Sequence, residues 1–151
     1  MKQPSSGADS TVFRFFLEIS AIAQASDKLI DRALPHELKR AHFLVLDHLA
    51  RDEANPTLLE LARAMQVTKG AITNTMQRLE ARGFVTVVPD EYDGRSKRAK
   101  LTGLGQIVRD DALRAVAPDI LELAKTISAP DMIEALPLLE RIRKYLDVDI
   151  K

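Results

Sequence analysis

The sequence contains no cysteine and no tryptophan. Without cysteine the chain can form no disulfide, no Cys-ligated zinc site and no thiol nucleophile or thiol redox sensor. Aromatic residues make up only 5% of the chain, whereas Ala, Leu, Glu, Lys and Arg are frequent. This composition favours an α-rich fold.

Long apolar runs are also missing. No stretch reaches the roughly 18 apolar residues that a membrane helix needs, and the polar residues 1–7 lack the apolar segment of a secretory signal. We therefore expect no membrane association and a cytoplasmic location. The 151 residues, 46% of them hydrophobic, suffice for one globular domain.

The formal net charge is zero, but the charges are unevenly distributed. Residues 63–100 carry eight basic and four acidic side chains, whereas residues 1–62 and 103–151 each carry seven basic and nine acidic ones. Because local charge rather than the sum determines where an anionic partner binds, the middle segment is the candidate binding region.

Apolar periodicity predicts helices at both ends of the chain. Residues 1–10 are rich in Pro, Ser and Gly and are predicted to be flexible. One helix is expected over 11–34 and two more within 104–151, the last interrupted by Pro137. Pro35 predicts the start of a second helix at or just after it.

The middle of the chain predicts a helix-turn-helix. Thr57 and Glu60 form a capping-box pattern before a short helix. Thr68 is a natural N-cap for the next helix, and Gly83 predicts its end. On this second helix the side chains expected to face inward are Ala71, Ile72, Met76 and Leu79.

A charged β-hairpin is predicted to follow. Residues 84–88 form a short segment rich in β-branched side chains, which predicts a strand. Residues 89–94 are of the types that favour turns, and residues 97–101 alternate between charged and apolar, as a returning strand does. The order helix, turn, helix, strand, charged hairpin and strand predicts a winged helix-turn-helix over 36–102, a mainly α fold with a small β-hairpin wing.

The outward face of the second helix has side chains suited to reading DNA. Asn and Gln can pair with adenine, Arg with guanine, and Thr with bases or phosphates, while a glycine permits close backbone approach. The predicted DNA-binding residues on this helix are Thr68, Lys69, Gly70, Thr73, Asn74, Gln77 and Arg78. The alternative is a polar face that is merely solvated.

The hairpin adds a second group of candidates. Arg95 at the tip can enter a minor groove, where the potential is most negative over A·T runs, and Lys97 and Arg98 follow on the returning strand. The alternative is an edge strand that lysines protect from pairing.

These segments resemble the multiple-antibiotic-resistance regulator (MarR) family of bacterial transcriptional regulators. The resemblance lies in Leu59–Ala62, in the run Thr68–Val85 and in the wing Asp93–Thr102, whose D-x-R and L-T pattern is its most specific part; Gly105 fits the L-T-x-x-G ending.

The resemblance implies a homodimer, held by the helices of 11–34 and 104–151, that binds a palindromic operator in double-stranded DNA. It implies a repressor released by a small aromatic or phenolic effector. Arg95 would contact the minor groove, and Asp93 would brace the wing by pairing with an arginine.

Other chemistry has little support in the sequence. His36, His42 and His48 are expected to be ordinary polar or interfacial residues rather than metal ligands, and no motif of an enzyme or cofactor site is present. Phe13, Phe15 and Phe16 could line an effector pocket, but core or dimer contact is favoured. The alternative function is a winged-helix protein–protein interaction module without DNA binding; the basic wing argues against it, because a protein-docking wing more often exposes apolar residues.

Overall fold

A computed structural model describes residues 8–52 and 54–149 of the chain. In this part of the chain the elements are α1 (Ala8–Ala33), α2 (Arg40–Arg51), α3 (Leu58–Met65), α4 (Lys69–Ala81), β1 (Val85–Pro89), β2 (Lys97–Leu101), α5 (Gly103–Leu123) and α6 (Ala129–Asp149). The predicted fold class, a mainly α winged helix, is confirmed. Residues 8–10, predicted to be flexible, belong to α1, and residues 1–7 lie outside the described residues.

The chain forms two compact units, one ending at Val116 and the other beginning at Ala117. The first holds α1 to α4, the hairpin and the greater part of α5. Its core is formed by apolar side chains from all three central helices and both strands. Burying each large aliphatic side chain stabilises a fold by about 1.5–3 kcal/mol. The most completely buried are Val45, Leu46, Leu61, Ile72, Met76, Leu79 and Val85.

The helix caps are formed as the sequence predicts. Thr57 Oγ1 accepts from the Glu60 N–H at 3.2 Å, and Glu60 Oε2 accepts from the Thr57 N–H at 2.7 Å. The backbone N–H of Thr57 and then its hydroxyl lower the pKa of Glu60. Thr68 Oγ1 caps α4 by accepting from Ala71 N–H at 3.1 Å. Gly83, just past α4, takes the left-handed φ of 74° expected of a helix-terminating glycine.

The start of α2 was predicted wrongly. His36 and Glu37 have φ of 59° and 53°, so the chain turns after Pro35, and α2 begins only at Arg40. Asp31 of α1 satisfies the backbone N–H of Arg40, the first residue of α2, because its Oδ1 accepts from that N–H at 2.7 Å.

The hairpin is antiparallel, with Val85 opposite Leu101 and Pro89 opposite Lys97. It is also fixed to the loop before α3. Ala99 N–H donates to the Pro56 carbonyl at 2.9 Å, and Thr57 forms a bridge with Arg98. The base of the wing is therefore held against the helix-turn-helix.

A junction at Gly105 joins α4, the hairpin and α5. Thr102 Oγ1 donates to the Gly83 carbonyl at 2.6 Å and accepts from the Gly105 N–H at 3.0 Å. Thr102 N–H donates to the Phe84 carbonyl at 3.1 Å. A Cβ added at Gly105 would lie 2.0 Å from that same carbonyl oxygen. We call these four residues the Gly105 junction.

In the second unit, α6 runs without a break through Pro137, so the predicted interruption was wrong. The helix exposes a row of large apolar side chains, which includes Ile133, Leu136, Leu139 and Tyr145. None of the helices within the described residues combines the length and the apolar character needed to cross a bilayer.

Candidate nucleic-acid interface

Helix α4 has one buried face and one exposed face. Ile72, Met76 and Leu79 are buried in the core. The predicted DNA-binding residues of α4 lie away from these three: Thr73 is half-buried, and the exposed ones are Thr68, Lys69, Gly70, Asn74, Gln77 and Arg78. Ala71 is exposed, so the prediction that it faces inward was wrong.

Several polar groups on α4 already have partners. Thr73 Oγ1 donates to the Lys69 carbonyl at 2.7 Å, and Thr68 Oγ1 is occupied by its capping bond. Arg78 Nε donates to Asn74 Oδ1 at 3.1 Å. The exposed face therefore presents partly ordered side chains rather than freely rotating ones.

The C-terminal end of α4 is tied to other elements by Arg82. Its Nη2 donates to the His36 carbonyl at 2.5 Å, and its guanidinium lies 4.6 Å from the centre of the Phe84 ring. The His36 ring lies 3.0 Å from an Asp111 carboxylate oxygen on α5. Hydrogen bonds from His36 and then Arg114 lower the pKa of Asp111.

None of the histidines is arranged for metal binding. Across the residues that the structure describes, no cluster of three or more His, Asp or Glu side chains could hold a metal ion. His42 Nδ1 instead accepts from the Lys39 N–H at 3.2 Å. Burial, followed by the charges of Arg78, Arg82 and Lys39, lowers the pKa of His42.

The wing is organised around Asp90, which is only 7% exposed. Its Oδ1 accepts from the backbone N–H groups of Tyr92 at 2.7 Å and Asp93 at 3.1 Å. Its Oδ2 lies 2.5 Å from Arg98 Nε, and Arg98 Nη1 also donates to the Asn55 carbonyl at 3.0 Å. The Tyr92 N–H first, then Asp93 and Arg98, lower the pKa of Asp90.

The expected pairing of Asp93 with an arginine was wrong. Asp93 Oδ1 accepts from the backbone N–H of Arg95 at 3.0 Å, and the acid that pairs with an arginine is Asp90. Asp90 was not among the residues predicted for the site. Its place after Pro89, at the start of a turn, is the signal that could have found it, since Asp side chains often accept from backbone N–H groups two or three residues further on.

The predicted cations of the wing fall into two groups. Arg95 and Lys97 are exposed, as is Lys100. Arg98 is half-buried, and its guanidinium is turned to Asp90 and Asn55. Arg98 therefore holds the wing in shape, while Arg95 and Lys97 reach solvent near the tip.

A helix-turn-helix with a polar and basic second helix, followed by a basic β-hairpin, defines a winged-helix DNA-binding protein. The MarR family model matches residues 36–96. The multiple antibiotic resistance protein MarR of Escherichia coli (strain K12) is 30% identical over 126 residues, which cover 82% of this chain and 87% of that protein. The chain therefore belongs to the MarR family of transcriptional regulators.

Solved structures agree with this assignment. A mutant of E. coli MarR complexed with operator DNA superposes with a TM-score of 0.78 at 27% identity, covering 91% of this chain and 99% of that one. The transcriptional regulator BldR from Sulfolobus solfataricus gives a TM-score of 0.78 at 24% identity over 93% of this chain and 97% of its own. At 24% identity, the similarity to BldR shows a shared fold and nothing more.

Proposed function

We propose that this protein binds a palindromic operator as a homodimer and represses transcription, with α4 in the major groove and the wing in the adjacent minor groove. The observation that carries the proposal is the exposed row of amide, small and basic side chains on α4 together with exposed Arg95 at the wing tip. The similar E. coli protein was crystallised with operator DNA, which supports the same use of the surface here.

The major groove, about 12 Å wide, accommodates an α-helix. With the face of Ile72 and Met76 in the core, the row that includes Lys69, Asn74 and Gln77 is the one available to base edges and phosphates. The exposed glycine at position 70 lets the N-terminal turn of α4 approach the sugar–phosphate chain.

The wing supplies a contact of a different kind. Asp90 orders the turn and pairs with Arg98, so the tip that carries Arg95 is presented on an ordered hairpin. An arginine in a narrow minor groove reads groove width and potential rather than a base code. Lys97, also exposed, would neutralise a flanking phosphate.

The homodimer is proposed from the exposed apolar side chains of the terminal helices. On α1 these include Val12, Phe13 and Leu17, and on α6 they include Ile133 and Leu136. Soluble chains rarely leave large apolar patches uncovered, and a second copy offers each of these helices the same surface by symmetry. Two copies of α4 about 34–36 Å apart would enter successive major grooves, which makes the operator palindromic.

Release by a small aromatic or phenolic effector is proposed from a pocket of about 160 Å³ in the first unit. Leu44, Met65, Val67 and Ile72 supply apolar walls, and Arg40 also lines the pocket. An apolar cavity of about 150 Å³ holds benzene.

Benzoate or phenol should raise the melting temperature of the protein and weaken its binding to the operator. Ala41→Leu, which narrows the pocket, should reduce both effects.

The test is duplex binding as a function of salt, using sequences selected from a random pool. Arg95→Ala should weaken binding about tenfold and, if the side chain contacts a phosphate, reduce the slope of log affinity against log salt by about one. Arg114→Ala removes an equal charge from α5 and should change neither. Wild-type affinity in Arg95→Ala would refute the role of the wing, and failure to bind any duplex at low salt would refute the proposed function. A reporter gene behind the selected sequence tests repression.

A further inference from the structure

We infer that Asn74 and Arg78 read the operator as one coupled pair, and that the pair selects a guanine in each half-site. The inference rests on the proposed function and assigns a base preference to part of the same surface. The observation behind it is the hydrogen bond from Arg78 Nε to Asn74 Oδ1 at 3.1 Å, between two exposed side chains one helical turn apart on α4.

The bond fixes the orientation of both side chains. A guanidinium can only donate, so the Asn74 atom that faces Arg78 must be the amide oxygen, and the amide N–H₂ points elsewhere. The i, i+4 spacing places both groups on one strip of the helix. An arginine ordered before binding loses less conformational freedom when it meets a base.

The bond also decides which atoms remain for DNA. Arg78 keeps the donors of its two Nη groups, which form the fork that pairs with two adjacent acceptors. Asn74 keeps its amide N–H₂, while its oxygen is already partly used. An asparagine that reads adenine needs the oxygen to accept from the adenine amino group and the N–H₂ to donate to N7. The Asn74–Arg78 pair therefore presents a surface of donors.

Among the bases, guanine presents two adjacent acceptors, O6 and N7, in the major groove. The fork of Arg78 matches this pair of acceptors. The Asn74 N–H₂ would then face a neighbouring base and favour one with an acceptor in the major groove, a guanine, an adenine or a thymine, over a cytosine. Removal of Asn74 should loosen Arg78 and weaken the guanine preference, although Asn74 itself does not contact that guanine.

The experiment compares the preferences of the wild type, Asn74→Ala, Arg78→Ala and the double variant, each selected from a random duplex pool and then measured by fluorescence anisotropy at one salt concentration. The wild type should discriminate about tenfold to a hundredfold in favour of guanine at one position in each half-site, the range that one bidentate pair supplies. Arg78→Ala should lose most of this discrimination, Asn74→Ala should lose about twofold to tenfold of it, the cost of ordering one long side chain, and the double variant should lose no more than Arg78→Ala alone, because the two residues act together.

Two further variants separate coupling from a general defect. Asn74→Asp keeps an acceptor for Arg78 Nε but removes the N–H₂ donors, so it should retain the guanine preference and lose the one at the neighbouring base. Arg114→Ala, which removes an equal charge from an exposed position on α5, should leave the guanine preference intact. All the positions are exposed, and unchanged thermal unfolding will confirm that each variant folds.

The inference is overturned if Asn74→Ala keeps the full guanine preference, or if the losses in the single variants add up in the double variant. In either case the wild type still binds duplex DNA, so the proposed function stands. A wild type that binds no duplex overturns both.

Discussion

The winged-helix region and the terminal helices of this chain differ in how far they bury their apolar side chains. Every buried hydrophobic residue within the described part of the chain lies between Leu38 and Val116. By contrast, α1 and residues 117–146 bury none completely and expose many large ones, such as Phe13 and Ile133. The winged helix thus has a core of its own, whereas the terminal helices leave large apolar side chains uncovered in the single chain.

The largest expected effect comes from charging a terminal helix. Ile133→Glu places a carboxylate where the side chain is 67% exposed in the single chain and would be buried between two copies. The protein should sediment as a monomer, and operator affinity should fall by a hundredfold or more, because a second half-site no longer binds as part of the same molecule. The control is Leu59→Glu, at an exposed position on α3, which should stay dimeric in the same sedimentation experiment. If Ile133→Glu also stays dimeric, the terminal helix α6 does not form the dimer interface.

The second effect tests the packing of the core region. In Gly105→Ala the new methyl would meet the Phe84 carbonyl at 2.0 Å, and backbone must shift to admit it. We expect the free energy of unfolding to fall by about 3 kcal/mol, the upper part of the usual range for overpacking. The measurement is urea unfolding at fixed protein concentration. Gly103→Ala, with nothing within 4 Å of the added atom, should unfold like the wild type or slightly later.

A smaller effect is expected at the cap of α3. Thr57→Ala removes the oxygen that accepts from the Glu60 N–H and should cost about 1 kcal/mol. Thr57→Ser restores an acceptor and should recover most of the loss in the same urea titration. Equal losses in both variants would mean that the methyl group, not the hydroxyl, matters at this position.

The smallest expected effect is a dependence of the fold's stability on pH. The folded pKa of Asp90 lies below its ordinary value because it accepts from Tyr92, Asp93 and Arg98, so it stabilises the fold above the unfolded pKa of about 4 and ceases to do so as pH falls through the folded value. The difference in urea midpoint between the wild type and Asp90→Asn should therefore be larger at pH 6 than at pH 2.5. A difference that does not change with pH would show that the charge of Asp90 contributes nothing.

Local rules predicted much of the fold. The caps at Thr57 and Thr68 and the end at Gly83 depend on residues within three or four positions of one another, and such contacts can be read directly from sequence spacing. The basic hairpin followed from the alternation of charge over residues 97–101. These features place α4 and the wing, and most of the candidate site with them.

Long-range contacts escaped prediction. The late start of α2 depends on a left-handed turn at His36, whose carbonyl is bound by Arg82, 46 residues further on. The partner of Asp90 was missed because the wing is folded by an ion pair with Arg98, across the hairpin. Neither contact produces a periodic pattern in the sequence, because each joins residues that come together only once the chain has folded.

The Gly105 junction limits how the DNA-binding surface can move. The carbonyls of Gly83 and Phe84 after α4, Thr102 at the end of the hairpin and the first turn of α5 share one set of hydrogen bonds, and a methyl group at Gly105 would clash with the Phe84 carbonyl. Rotation of any one of the three elements about this point would break bonds that the other two need. These contacts favour a constant angle between α4 and the wing, so in the proposed dimer an effector would act by changing the separation of the two copies of α4 rather than the shape of either winged helix.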